Sequence, residues 1–191
     1  MVEINSRLLR AMCADGLVRE GHFSFRSGRH SAVALDRDRL LSDPGFASHL
    51  GYVIAKEFFS SFVDTVAAPS MWGAALAQWV AYFLQPKATI VFAQPANGGF
   101  EIPTSLAGAI AGKRVLLIDN LIISGDTMRR FAAAIQERGA DVVGAGTLWT
   151  TANLTVGGQP PFGLFNRQYP VYAAADCPLC AAGVPAEASP Y

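Results

Sequence analysis

The sequence predicts an α/β protein, a parallel sheet flanked by helices with a small hairpin ahead of it. Three observations carry this. Val115 to Ile118 is a continuous apolar run bounded by charge, the pattern of a strand buried on both faces. Strand-like and helix-like stretches alternate between Thr65 and Trp149, the order that builds a parallel sheet. The central run also leads through a short polar turn, Ser124-Gly125-Asp126-Thr127, into the helical pattern Met128 to Arg138.

Composition bounds what such a fold can do. The chain has 191 residues, 51% of them hydrophobic, and a formal net charge of zero, which suits one domain with a substantial core. With only three lysines and no basic block it offers no field for a phosphate backbone, so no nucleic-acid partner is expected. Glu3, Arg7, Arg10 and Asp15 interrupt the stretch from Met1 to Gly16, which therefore does not read as a signal peptide. No apolar run approaches membrane-spanning length. A cytoplasmic protein with no membrane partner is expected.

Each element has its own local reason. Asn5 or Ser6 caps a first helix running to about Ala14, with Leu8, Leu9, Met12 and Cys13 on its apolar side and Gly16 ending it. Gly21 to Arg26 alternates apolar and polar residues as a half-buried strand, Ser27-Gly28 turns the chain, and Ser31 to Asp36 completes a hairpin. Asp43 caps a helix that begins at Pro44 and carries Phe46, Leu50, Val53, Ile54 and Phe58 at helical spacing. A short strand, Thr65 to Ala67, meets the turn Ala68 to Gly73, and a helix follows from Ala74 to Leu84. The strand Ala88 to Gln94 opens onto Pro95 to Gly112, a long stretch poor in charge and rich in Gly and Pro; loops of that length often serve as lids. After the central strand and its helix, Gly139 terminates and Val142 to Trp149 is a further buried strand. From Ala152 on, Gly, Pro and aromatic residues alternate without a period, as a tail packed over the sheet.

The end of the central strand carries the chemistry. Asp119 stands where the strand is expected to end, and ligands of open α/β sheets collect outside such carboxyl ends. Behind Ser124 to Thr127 a helix N-terminus offers free N–H groups and partial positive charge, and two hydroxyls can donate, so the turn suits a phosphate. The same residues also suit a plain helix cap by Asp126 or Thr127. Cys13, Cys177 and Cys180 form an odd set with no histidine beside them in sequence. Cys177-Pro178-Leu179-Cys180 lacks the four ligands of a structural zinc and reads as reduced thiols in a turn.

The stretch Lys113 to Met128, K-R-V-L-L-I-D-N-L-I-I-S-G-D-T-M, resembles the phosphoribosyl-pyrophosphate (PRPP) motif of the type I phosphoribosyltransferases. In that family two acidic residues at the strand end hold the ribose hydroxyls and the magnesium, and the turn wraps the 5′-phosphate. The resemblance implies phosphate contacts from Ser124, Gly125, Asp126 and Thr127, and ribose contacts from Asp119 and Asn120, with Asp119 also serving Mg2+ indirectly through PRPP. Asn120 stands where the second acid would be. Gly21 to Asp36, G-H-F-S-F-R-S-G-R-H-S-A-V-A-L-D, is similar to the opening of the orotate phosphoribosyltransferases, and Asp176 to Pro185 to their C-P-L-C-x-x-G-x-P ending. The resemblance spans about residues 15 to 190. It implies a type I phosphoribosyltransferase-like parallel sheet flanked by helices with a small N-terminal hood. Residues 1–191 form a single domain in this reading, the hood being mainly 1–40 plus part of the C-terminal tail, and a homodimer with shared sites follows.

Other positions depart from the family. Arg26 matches a basic position used near the pyrophosphate, and Pro69, Ser70, Met71, Trp72 and Gly73 occupy the pyrophosphate loop, which usually has paired glycines. Trp72 replaces the first glycine and is expected to fill space that diphosphate would take, the alternative being an aromatic lid over a bound nucleotide. Pro95 to Ser105 corresponds to the catalytic lid but contains no Lys or Arg to stabilise departing pyrophosphate. Losing one such donor typically costs on the order of a hundredfold. Near the base the family has an arginine where Thr151 stands and a threonine where Ile123 stands, and Val33, Ala34 and Leu35 are small or aliphatic. The resemblance therefore implies a protein that binds PRPP or a nucleotide 5′-phosphate with reduced or lost transferase activity, alone or in a heterodimer with an intact paralogue that lends its lid lysines. The alternatives are an active transferase for orotate or another nitrogenous base, and a ligand-free scaffold.

Overall fold

The structure is a computed structural model that describes residues 18–96, 98–164 and 170–189. The expected first helix, Cys13, Asn97 and Tyr169 lie outside the described residues. In chain order the strands are β1 (Val18–Ser24), β2 (Arg29–Leu35), β3 (Thr65–Ala68), β4 (Thr89–Phe92), β5 (Gln94–Ala96), β6 (Gly99–Glu101), β7 (Arg114–Ile122), β8 (Asp141–Thr150), β9 (Phe162–Gly163), β10 (Val171–Ala173) and β11 (Glu187–Ala188). The helices are α1 (Arg37–Ser42), α2 (Pro44–Glu57), α3 (Met71–Phe83), α4 (Asp126–Gln136) and α5 (Pro178–Ala181). Two compact units divide the chain, residues 41–164 and residues 1–40 with 165–191.

In the 41–164 unit five strands pair in the order β4-β3-β7-β8-β9, every pairing parallel. The apolar run Val115 to Ile118 forms the middle of β7 and is fully buried, as a strand covered on both faces must be. Met128, Phe131 and Ile135 of α4 pack with Val115 and Leu117 in one core cluster. α2 lies against the sheet through Ile54: a Cβ added to Gly146 would stand 2.7 Å from Ile54 Cγ2 and 2.9 Å from Ile118 Cδ1. α2 and α3 touch where Gly51 faces Trp79, with room for no side chain at all. α2 starts as its sequence predicts, with Pro44 first and the Asp43 carboxylate accepting from the Phe46 N–H at 3.1 Å.

Three boundaries differ from the sequence reading, each for a local reason. β7 does not end at Asp119 but continues to Ile122, because β8 runs beside it and supplies partners from Asp119↔Thr147 to Ile122↔Thr150. On its other side the ladder with β3 stops at Ala67↔Leu117. The sheet therefore opens at Asp119 on the β3 side alone. α3 begins at Met71 rather than Ala74, since the Ser70 hydroxyl accepts from the Gly73 N–H at 3.3 Å and draws Met71, Trp72 and Gly73 into the first turn. The stretch from Pro95 to Gly112 is not an open loop. β5 and β6 form a hairpin, Gln94↔Glu101 to Ala96↔Gly99, followed by a 3₁₀ helix over Thr104–Ala109. That hairpin is docked on α4: Phe100 meets Phe131 edge-on at 4.9 Å and Arg130 donates to the Gly98 carbonyl at 3.1 Å.

The smaller unit holds a four-stranded sheet in the order β10-β2-β1-β11. β1 and β2 form the expected hairpin, turning at Gly28 with φ +74°, a conformation that glycine adopts without strain. A register shift between Glu20 and Phe23 places an extra residue in β1. His22 and Phe23 are consequently both buried, at 4% and 2% exposure, where strict alternation would bury only one of them. Among the described residues no helix is long and apolar enough to cross a membrane.

Candidate functional site

The turn between β7 and α4 is shaped by Gly125. Its φ of +84° is the left-handed region that favours glycine, and a Cβ there would stand 3.0 Å from Leu154 Cδ2 and 3.1 Å from Ala152 Cβ, close enough that these neighbours would have to give. No side chain caps α4. The plain capping role open to Asp126 and Thr127 is thus not taken, and a helix N-terminus of this kind suits an anion. Within the turn the Ser124 hydroxyl lies 3.4 Å from the Asp126 N–H. Ser124, Asp126 and Thr127 are all exposed.

The Asp126 side chain pairs with Arg129 along the helix. Arg129 donates to its carboxylate at 2.6 Å, and that bond, followed by the Ser124 contact, holds the Asp126 carboxyl below the ordinary carboxylate range. Its negative charge is matched by Arg129 rather than left facing a phosphate. Arg129 and Arg130 went unmarked in the sequence reading because two adjacent arginines inside a helical pattern look like a solvated face. The signal that could have found them is their spacing, one turn beyond the phosphate turn.

Asp119 is half-buried, and its Oδ1 accepts from the Asn120 N–H at 2.8 Å. The first turn of α3 comes up against it: a Cβ on Gly73 would stand 3.2 Å from the Ile118 carbonyl oxygen, 3.3 Å from Ala68 Cβ and 3.4 Å from Asp119 Oδ1. The structure thus brings the loop Pro69 to Gly73 and the strand position Asp119 together, and Gly73 is what lets them approach.

Asn120 has a different place. Neighbouring strand residues project to opposite faces. Asn120 is 1% exposed and its amide Nδ2 donates to the Trp72 carbonyl at 2.9 Å, while its backbone oxygen accepts from the Thr147 hydroxyl at 2.8 Å. Its side-chain oxygen is buried without a hydrogen-bond partner among the described residues. An aspartate in this rotamer would set a carboxylate against a carbonyl, so the amide is the group that α3's position calls for.

Trp72 does not plug the loop, contrary to expectation. The residue is 65% exposed, and Met71 beside it 55%. The Ser70 cap and the Asn120 bond hold this backbone as a helical turn, from which side chains at 71 and 72 project outward. Thr151 ties the site's far edge, its hydroxyl donating to the Ile123 carbonyl at 3.0 Å. Arg26 lies in the smaller unit, exposed in the β1–β2 turn next to Phe25, whose N–H donates to the Arg29 carbonyl at 2.8 Å. The same unit overturns the reading of the C-P-L-C turn as lacking histidines. His22 and His30 come to Cys177 and Cys180 from the hairpin, with ligand atoms all within 4.8 Å of one another.

Comparison with known proteins agrees with this arrangement. The family described as "Phosphoribosyl transferase domain" matches residues 36–158. An orotate phosphoribosyltransferase of Thermotoga maritima is 32% identical over 173 residues, covering 90% of this chain and 91% of that protein. One of Thermus thermophilus is 34% identical over 178 residues, covering 90% and 93%. Among solved structures, a phosphoribosyltransferase from Corynebacterium diphtheriae has a TM-score of 0.63 at 16% identity, covering 84% of this chain and 94% of that one. The orotate phosphoribosyltransferase from Aeropyrum pernix has a TM-score of 0.60 at 21% identity, covering 75% and 81%. These structures share the fold, and with the family match and the sequence relatives they establish that the chain belongs to the type I phosphoribosyltransferases.

Proposed function

We propose that this chain is a cytoplasmic protein that binds PRPP or a nucleotide 5′-phosphate through the β7–α4 turn, with its transferase activity reduced or lost. The observation that carries this is the contrast between two neighbouring features. The phosphate turn keeps its left-handed Gly125 and an uncapped helix, while the second acidic position is a buried amide committed to Trp72.

In this reading Ser124 to Thr127 and the first turn of α4 hold the 5′-phosphate, and Asp119 the ribose hydroxyls. Mg2+ accompanies PRPP. A single half-buried carboxylate fits such an ion, since magnesium is commonly satisfied by one or two carboxylates plus substrate phosphates and water. Bound there it would neutralise diphosphate oxygens. Asn120 supplies no second carboxylate. Departure of diphosphate needs positive charge aimed at its oxygens, and residues 94–112 contain no Lys or Arg. Arg130, which reaches the hairpin, is engaged at the Gly98 carbonyl. Each missing donor is worth about 10²–10³ in rate.

A second reading, an active PRPP-dependent transferase for orotate or another base, is favoured by the identity of 32–34% with relatives named orotate phosphoribosyltransferase. It requires the hairpin's charge to come from elsewhere, a second copy in a homodimer or an intact paralogue. Calorimetric titration with PRPP, with and without Mg2+, separates these readings when pyrophosphate release with orotate is followed in the same samples. Binding without release is expected. Release at a rate typical of enzymes would establish the second reading, and no binding of PRPP or of uridine 5′-monophosphate would leave the fold as a scaffold.

A further inference from the structure

Four side chains in the smaller unit converge without any role in phosphoribosyl chemistry. His22 Nε2 lies 2.9 Å from His30 Nδ1, 3.5 Å from Cys177 Sγ and 3.6 Å from Cys180 Sγ. His30 Nδ1 is 3.2 Å from Cys180 Sγ. Around a tetrahedral zinc with Zn–N of about 2.05 Å and Zn–S of about 2.3 Å, ligand atoms stand about 3.3 Å apart for two nitrogens and about 3.5 Å for nitrogen and sulfur. These four spacings fall within a few tenths of an ångström of those edges, and all four ligand atoms lie within 4.8 Å of one another.

Protonation points the same way. His22 Nδ1 is 2.7 Å from the Val184 carbonyl, which can only accept, so the ring's proton sits on Nδ1 and Nε2 presents its lone pair to the other three atoms. A backbone carbonyl orienting a ring in this way is the usual support of a metal-bound histidine. His22 and Cys177 are buried, at 4% and 2% exposure. The β1 bulge aims His22 inward, His30 stands opposite Ser24 on β2, and Cys177 and Cys180 lie one helical turn apart at the start of α5. Hydrogen bonds from the Ala181 N–H to the Cys177 carbonyl at 3.1 Å and from the Gly183 N–H to the Cys180 carbonyl at 2.9 Å fix that turn.

We propose that His22, His30, Cys177 and Cys180 form a structural zinc site that ties the β1–β2 hairpin to the C-terminal turn. Two nitrogens and two sulfurs in tetrahedral array select zinc among common divalent metals, and four protein ligands leave no open position for a substrate. On binding, both thiols lose their protons to solvent, and the two thiolates neutralise the ion. The site joins segments 155 residues apart. It is independent of the PRPP reading, and neither outcome of the titration with PRPP bears on it.

Metal analysis of the untagged full-length protein, purified without chelator, tests this directly. One zinc per chain is expected. Removal by a strong chelator should lower the melting temperature by about 10 °C or more, and added zinc should restore it. Cobalt exchanged into the site should show the intense visible bands of a tetrahedral ion and a thiolate charge-transfer band, which His30→Ala and Cys180→Ser would each weaken. Should those variants fail to fold, the metal content and cobalt spectrum of the unaltered protein still decide. A protein with no zinc whose melting temperature ignores added zinc, a Cys177–Cys180 disulfide found by peptide mass, or a cobalt spectrum without thiolate charge transfer would each overturn the proposal.

Discussion

At Asn120 a single buried amide governs what the end of the central strand can hold. Its bond to the Trp72 carbonyl fastens β7 to the first turn of α3. Restoring the family's acid by Asn120→Asp should therefore destabilise the protein, by about 1–3 kcal/mol near pH 8, because a buried carboxylate would face a carbonyl. Burial raises the folded-state pKa of such a carboxyl above its unfolded value. The native state then binds more protons than the unfolded one, so the deficit should grow as pH rises from about 4 to 8. Urea unfolding at both pH values checks this; equal stability at pH 8 would show that the amide bond contributes nothing. Thr127 tests the opposite case. It is exposed and no side chain caps α4, so Thr127→Ala should change stability by less than about 0.5 kcal/mol yet weaken PRPP binding about three- to tenfold. A large stability loss with unchanged affinity would return Thr127 to a capping role.

At the level of elements, α3 brings its first turn to Asp119 and packs in turn on α2. α2 and α3 approach so closely at Gly51 that an added Cβ would stand 2.4 Å from Trp79 Cβ and 2.9 Å from the Trp79 backbone carbon. Gly51→Ala should cost about 1–3 kcal/mol by overpacking, read in chemical denaturation, even though alanine favours helices. A stabilised variant would mean the helices can separate freely. The legibility of the elements followed their length. β7, with its unbroken apolar core, and α2, with its cap and Pro44, show in the sequence because their signals are local and repeated. The β5–β6 hairpin did not, since three-residue strands holding Pro95 and Gly99 offer too few alternating positions to register. The overrun of β7 past Asp119 was hidden for another reason: it depends on β8, whose partner residues lie some distance along the chain.

For the whole molecule, what the sequence concealed is what joins distant segments. The turn from β7 to α4, strand to glycine to helix, is contiguous, and its backbone course was readable as written. The Asn120–Trp72 bond spans 48 positions, and the cluster brings the pair His22 and His30 to the pair Cys177 and Cys180 across as many as 158, beyond any pattern of spacing. Position 120 could be seen to lack an acid, but only the fold shows why an amide suits it. In the proposed function the same separation would let a phosphate cradle persist while the positions for departure of diphosphate change independently, since each sits on a different element. Pyrophosphate release at saturating Mg2+ and PRPP with orotate, measured beside the Thermotoga maritima orotate phosphoribosyltransferase, tests that separation most directly. A rate at least about a hundredfold lower than the relative's, from protein that calorimetry shows to bind PRPP, is the predicted result. A rate within a few fold of the relative's would contradict it, and would mean that the altered positions change which groups assist the reaction without disabling it.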